Sequence, residues 1–136
     1  KVGALFGEAV VAPRAQRLPH FFPLVKQHGA LLAKGRLLGI QFETLFTDGL
    51  YERIGAHAVR LALKLKKAFV EKGYKLPIDS PTNQQFVCLP NEEMDRLLSH
   101  ATFELWGPRG ETETMVRFVT SWATREEDVN AFIRLL

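Results

Sequence analysis

Leu50, Ile54, Ala58, Leu61, Leu65 and Phe69 follow one another at steps of four, four, three, four and four. That spacing lines one face of a helix at period 3.6, and such a face demands a second layer to be buried against. Asp48 is placed to cap the start of this helix and Gly73 its end. The register turns Arg60, Lys64, Lys67 and Glu71 away from the apolar side and leaves His57 near its boundary, as an ordinary packed or exposed histidine. Arg60, Lys64, Lys66 and Lys67 come nearest to a basic stripe. Their helical spacing reads as a solvated face, and a net charge of +3 is too mild to indicate a nucleic-acid partner.

Upstream, Leu5 to Ala12 is apolar apart from Glu8 and stops at Pro13, which predicts a strand covered on both faces. No strand neighbour follows it closely, and the chain has no initiator methionine. The first leads us to expect partner strands upstream, and the second a start either after processing or in the middle of a longer protein. Lys1 stands at the mouth of this strand, where it reads either as an active-site amine or as an incidental first residue. A connection over residues 14–22 leads to a helix expected from Pro23, with Leu24, Leu31, Leu32, Leu38, Phe42, Leu45 and Phe46 as its apolar positions. Gly29, Gly35 and Gly39 interrupt it, either for close approach to a backbone or ligand or as a break between two helices.

After the turn-rich residues 77–83 the chain alternates short elements. Strands are expected over Gln85 to Leu89, Thr102 to Trp106 and Thr114 to Thr120, with a short helix capped by Asn91 after the first. Thr124-Arg125-Glu126-Glu127 reads as a capping box opening a last helix, whose inner face is Val129, Phe132, Ile133 and Leu136. The fold class is therefore α/β. Residues 1–74 bring a strand and long helices, and residues 75–136 form a small α+β domain with a three-stranded antiparallel sheet.

The one cysteine, Cys88, lies in Phe86-Val87-Cys88-Leu89, reads as a core residue and suits a reducing compartment. No His/Cys cluster has metal spacing, no run is long enough to span a membrane, and neither a Ser-His-Asp order nor a phosphate loop is present. Three cations sit where core patterning would not put them: Lys1, Arg36 among the glycines, and Arg117 in the middle of Met115-Val116-Arg117-Phe118-Val119. A charge among apolar strand neighbours needs an acidic partner or an anionic ligand. Glu104 and Glu113 are the structural candidates for Arg117.

The run Lys1-Val2-Gly3-Ala4-Leu5-Phe6-Gly7-Glu8-Ala9-Val10-Val11 resembles the Schiff-base lysine segment of the pyridoxal-phosphate-dependent threonine aldolases, in the β-eliminating lyase superfamily. The likeness continues through His28-Gly29-Ala30-Leu31-Leu32-Ala33-Lys34-Gly35-Arg36 and Asp48-Gly49-Leu50-Tyr51. It closes in Val116-Arg117-Phe118-Val119-Thr120-Ser121-Trp122 and Glu126-Glu127-Asp128-Val129. The resemblance implies the C-terminal part of a fold-type I enzyme: the last strand of the large cofactor domain, linking helices and the small domain. It implies that Lys1 is the catalytic residue joined to pyridoxal 5'-phosphate, that Arg117 binds the substrate carboxylate, and that Arg36 approaches the cofactor phosphate or a neighbouring subunit's substrate. The family's remaining cofactor contacts would lie upstream of Lys1.

The expected reaction is cleavage of a β-hydroxy amino acid to glycine and an aldehyde, in a cytoplasmic homodimer or homotetramer. A fragment alone would be inactive. The alternatives are β-elimination from an aromatic amino acid and a non-catalytic interaction domain.

Overall fold

The computed structural model describes residues 2–14 and 18–136. The described residues fall into two compact units, Ala4–Leu50 and, together with Val2 and Gly3, Tyr51–Leu136.

In the first unit, helix α1 spans Phe21–Gln27 and helix α2 spans Arg36–Phe46. Pro23 sits in the first turn of α1, where the N–H it lacks would have had no helical acceptor. The single helix expected here is thus two. Gly29, at φ +65, carries the chain out of α1, and Gly35 stands just before α2. Gly39 lies inside α2, and no atom of the described residues would come within 4 Å of a Cβ placed on it. Gly29 and Gly35 therefore punctuate the helices, and none of the three glycines marks a close approach among the described residues. Leu5 to Ala12 forms no strand. A strand needs a ladder partner for its N–H and C=O groups, and the described residues supply none. Its backbone is instead tied to α2 through Gln41, whose Oε1 accepts from Leu5 N at 2.7 Å and whose Nε2 donates to Phe6 O at 2.9 Å.

The second unit is built on helix α3, Leu50–Glu71. Its buried residues are Ala58, Leu61, Ala62, Leu65, Ala68 and Phe69: four of the six positions that the period predicts, with Leu50 and Ile54 only half-buried at its start. Its end is a Schellman motif: Tyr74 N donates to Phe69 O and Gly73 N to Val70 O, each at 3.0 Å. Gly73 adopts φ +82, a conformation that glycine reaches without strain. The Tyr74 ring then packs edge-on against Phe69, centroids 5.6 Å apart.

Strands β1 (Lys75–Ile78) and β2 (Gln84–Pro90) follow, then helix α4 (Asn91–Leu98), strands β3 (Glu104–Leu105) and β4 (Glu113–Val119), and helix α5 (Glu126–Ile133). The sheet is antiparallel, in the order β1-β2-β4-β3, so it has four strands where three were expected. The additional strand is β1, which contains Pro77 and whose pairing with β2 shifts register between Lys75 and Ile78.

Val87, Leu89, Val116 and Phe118 on one sheet face join Leu61, Leu65 and Phe69 of α3, Met94 and Leu97 of α4, Phe103, and Val129 of α5 in one core. Phe118 is the hub of its aromatic part, with Phe69, Phe103 and Phe132 at centroid distances of 5.2, 4.7 and 5.2 Å. Phe132, Ile133 and Leu136 pack against this core as the last helix's pattern requires.

Two expected caps are replaced by other contacts. Thr124 lies one residue before the Arg125 N-cap of α5, and its Oγ1 accepts from Ser121 N at 2.9 Å to close the preceding turn. The Glu126 carboxylate is held by Arg60 and Lys64 of α3 at 2.9 and 2.7 Å. Asn91 is the first residue of α4 and clamps the β3–β4 connection: its Nδ2 donates to Gly110 O and Glu111 O, and its Oδ1 accepts from Thr114.

Candidate functional site

The face of the sheet opposite the helices carries the charged centre of the second unit. Alternation along β4 buries Thr114, Val116 and Phe118 and turns Met115, Arg117 and Val119 the other way. Arg117 stands across from Phe86 of β2 and Glu104 of β3. Its guanidinium lies over the Trp106 ring, 4.7 Å from the centroid, and Trp106 in turn packs edge-on against Phe86 at 5.1 Å. Nη1 donates to Gln84 Oε1 at 3.0 Å, and Nη2 donates to the Glu104 carboxylate. Nε is buried without a hydrogen-bond partner among the described residues. A planar cation held by a π face and two polar contacts is well placed to grip a carboxylate.

Of the two acids offered as partners for Arg117, Glu104 makes the pair, while Glu113 lies 3.4 Å from Lys75. Gln84, Phe86 and Trp106 were not foreseen around Arg117. Period two does put Gln84, Phe86 and Cys88 on one side of β2, and that signal could have placed Phe86 next to the arginine.

The same alternation corrects the reading of Cys88 as a core residue. It is half-buried on the arginine side of the sheet, and desolvation, with a smaller contribution from Glu113, raises its thiol above the ordinary value. A raised thiol holds little thiolate near neutrality, in keeping with its unsuitability as a nucleophile. His57 Nε2 donates to the Thr124 carbonyl at 2.8 Å and is a packing residue. Among the described residues no group of His, Cys, Asp and Glu could hold a metal ion, and no helix is long and apolar enough to cross a membrane.

Lys1 lies outside the described residues. The glycine two positions after it is informative: Gly3 adopts φ +84, and a Cβ on it would stand 3.3 Å from the Trp122 ring. Gly3 and Trp122 thus meet at a contact with little room for a side chain. Arg36 is the first residue of α2, exposed and without an ion pair among the described residues. The structure places it in the first unit and Arg117 in the second.

No family model and no curated protein matches the chain. Among solved structures, a threonine aldolase from Leishmania major is similar at 38% sequence identity with a TM-score of 0.79. The match covers 86% of this chain and 34% of that one, so the chain spans about a third of the length of the structure it matches. That proportion fits a C-terminal segment with the small α+β domain described above. In sequence and in fold, the chain is similar to part of that threonine aldolase.

Proposed function

We propose that this chain is part of a pyridoxal-phosphate-dependent lyase that cleaves the Cα–Cβ bond of a β-hydroxy amino acid, giving glycine and an aldehyde. The observation that carries the reading is Arg117: a half-buried guanidinium with an unpartnered Nε, in the strand that resembles the family's carboxylate-binding segment. The activity belongs to the whole protein, of which this chain is a part, and we extend the proposal to a homodimer or homotetramer.

Such a cofactor asks for an amine, a cationic seat for its phosphate and a grip on the substrate carboxylate. Arg36 suits the second, because it opens α2, where free N–H groups and a guanidinium both favour an anion. Arg117 suits the third. Lys1, which resembles the amine donor, lies outside the described residues. When bound, the cofactor supplies the electron sink for charge developing at Cα.

The chain's own contribution is orientation. A two-pronged hydrogen bond from Arg117 to the carboxylate would fix the rotation about Cα and so select the bond that breaks. The Lys1 amine would react in its unprotonated form.

In the full-length protein, Lys1→Ala is expected to abolish the absorption band of lysine-linked cofactor; a linked band that persists would overturn the assignment. Arg117→Ala should raise KM for amino-acid substrates by about 10–100-fold, the worth of a hydrogen-bonded charge, with cofactor still attached. Unchanged substrate affinity with lower stability would instead mean that Arg117 is purely structural.

A further inference from the structure

We propose that Glu104 is a resident stand-in for the substrate carboxylate. It neutralises Arg117 while the site is empty of substrate and gives way when an amino acid arrives. The inference rests on the functional reading of Arg117 above and adds a residue that tunes affinity.

The two partners of this ion pair are held very differently. The Arg117 side chain is 23% exposed, whereas that of Glu104 is 62% exposed. The guanidinium is fixed from beneath by Trp106 and from one side by Gln84, and neither contact involves Glu104. Glu104 belongs to a two-residue strand at the edge of the sheet, so its carboxylate can turn into water without disturbing the core. A largely buried guanidinium left without an anion would be strongly unfavourable. Exchanging one carboxylate for another avoids that state at both ends of the exchange.

The unpartnered Nε gives the exchange its direction. Glu104 is bonded to Nη2 alone, and Nε has no acceptor. With Glu104 swung aside, a carboxylate that bridged Nη2 and the now buried Nε would make two bonds where Glu104 makes one, the two-pronged grip that strengthens an arginine–carboxylate pair. Glu104 therefore acts as a competitor, not as a strut. Removing its charge should tighten substrate binding, whereas removing a strut would weaken it.

Glycine is the probe, with binding to the full-length, cofactor-loaded protein measured by calorimetry. Methylamine, which has the amine but no carboxylate, is the control. E104Q and E104A are each expected to bind glycine about threefold more tightly, on the scale of an exposed ion pair, with methylamine binding unchanged. Weaker or unchanged glycine binding in both variants would overturn the proposal. The Arg117→Ala variant separates the two levels of the argument. If it leaves glycine affinity untouched, the functional reading fails; if it weakens glycine while E104Q does not tighten it, only the role given to Glu104 fails.

Discussion

Ala4–Leu50 and Tyr51–Leu136 are both rich in apolar side chains, yet they use them in opposite ways. In the later region α3, the sheet, α4 and α5 close on one another, and Leu61, Phe69, Val87, Leu89, Leu97 and Val116 reach zero exposure. In the earlier region no described residue is buried: Leu5 and Val11 are 89% and 87% exposed, and Phe22 and Phe46 exceed half. Spacing tells which side chains would be buried together. Whether they are depends on a second layer, since the hydrophobic term is gained only when apolar area leaves water.

The largest contrast should come from truncating one side chain in each region. Phe69→Ala removes a ring at the centre of the core and should cost about 3–5 kcal/mol, whereas Leu5→Ala should stay within about 0.5 kcal/mol. Urea unfolding of the chain measures both, and equal losses would break the comparison.

A sharper version uses one substitution with opposite signs. Gly73→Ala forces a Cβ into a left-handed backbone and should destabilise by about 1–2 kcal/mol. Gly39→Ala, in open space inside α2, should stabilise that helix by up to about 1 kcal/mol. Helicity by circular dichroism and the unfolding midpoint together read the two signs.

The smallest effect concerns pH. Arg96, with a further hydrogen bond from Tyr74, holds the Glu93 carboxyl below its ordinary 4.5. Because the folded value is the lower one, this stability is present above about pH 4.5 and is lost as pH falls through the folded value. The unfolding midpoint of the chain should therefore drop on acidification below pH 4.5, and Glu93→Gln should flatten part of that drop. A Glu93→Gln variant as acid-sensitive as the parent would show that other carboxylates carry the dependence.

Much of the later region was legible because its periods are long and unbroken. The α3 face, the central strands β2 and β4 and the inner side of α5 all follow from them. β1 was not, because Pro77 and the residues after it read as a turn, and an edge strand tolerates a proline that an interior strand would not. The capping box failed for a different reason. Thr124 had two competing partners, and a turn with Ser121 three residues earlier won. Cys88 was misplaced because Phe86-Val87-Cys88-Leu89 was read as one buried block, when alternation puts Val87 and Leu89 on one face and Phe86 and Cys88 on the other.

For the candidate site, Arg117 announced itself as a charge out of place in its strand. Trp106 could not, since nothing in a sequence tells which ring will lie under a guanidinium from another strand. Gly3 was read only as part of a motif, and its contact with Trp122 now gives that glycine a steric reason.

The shifted register of β1 has a bearing on how the protein behaves in a crowd. A sheet ends in two rows of unpaired backbone groups that invite another chain to add a strand. At one end of this sheet the outermost strand carries a charged Lys75, a Pro77 with no N–H to offer and an irregular pairing with β2. At the other end β3 is two residues long and runs at once into Gly107-Pro108. Neither border offers a template long or regular enough for strand addition, so the sheet is protected against edge-to-edge aggregation at both ends.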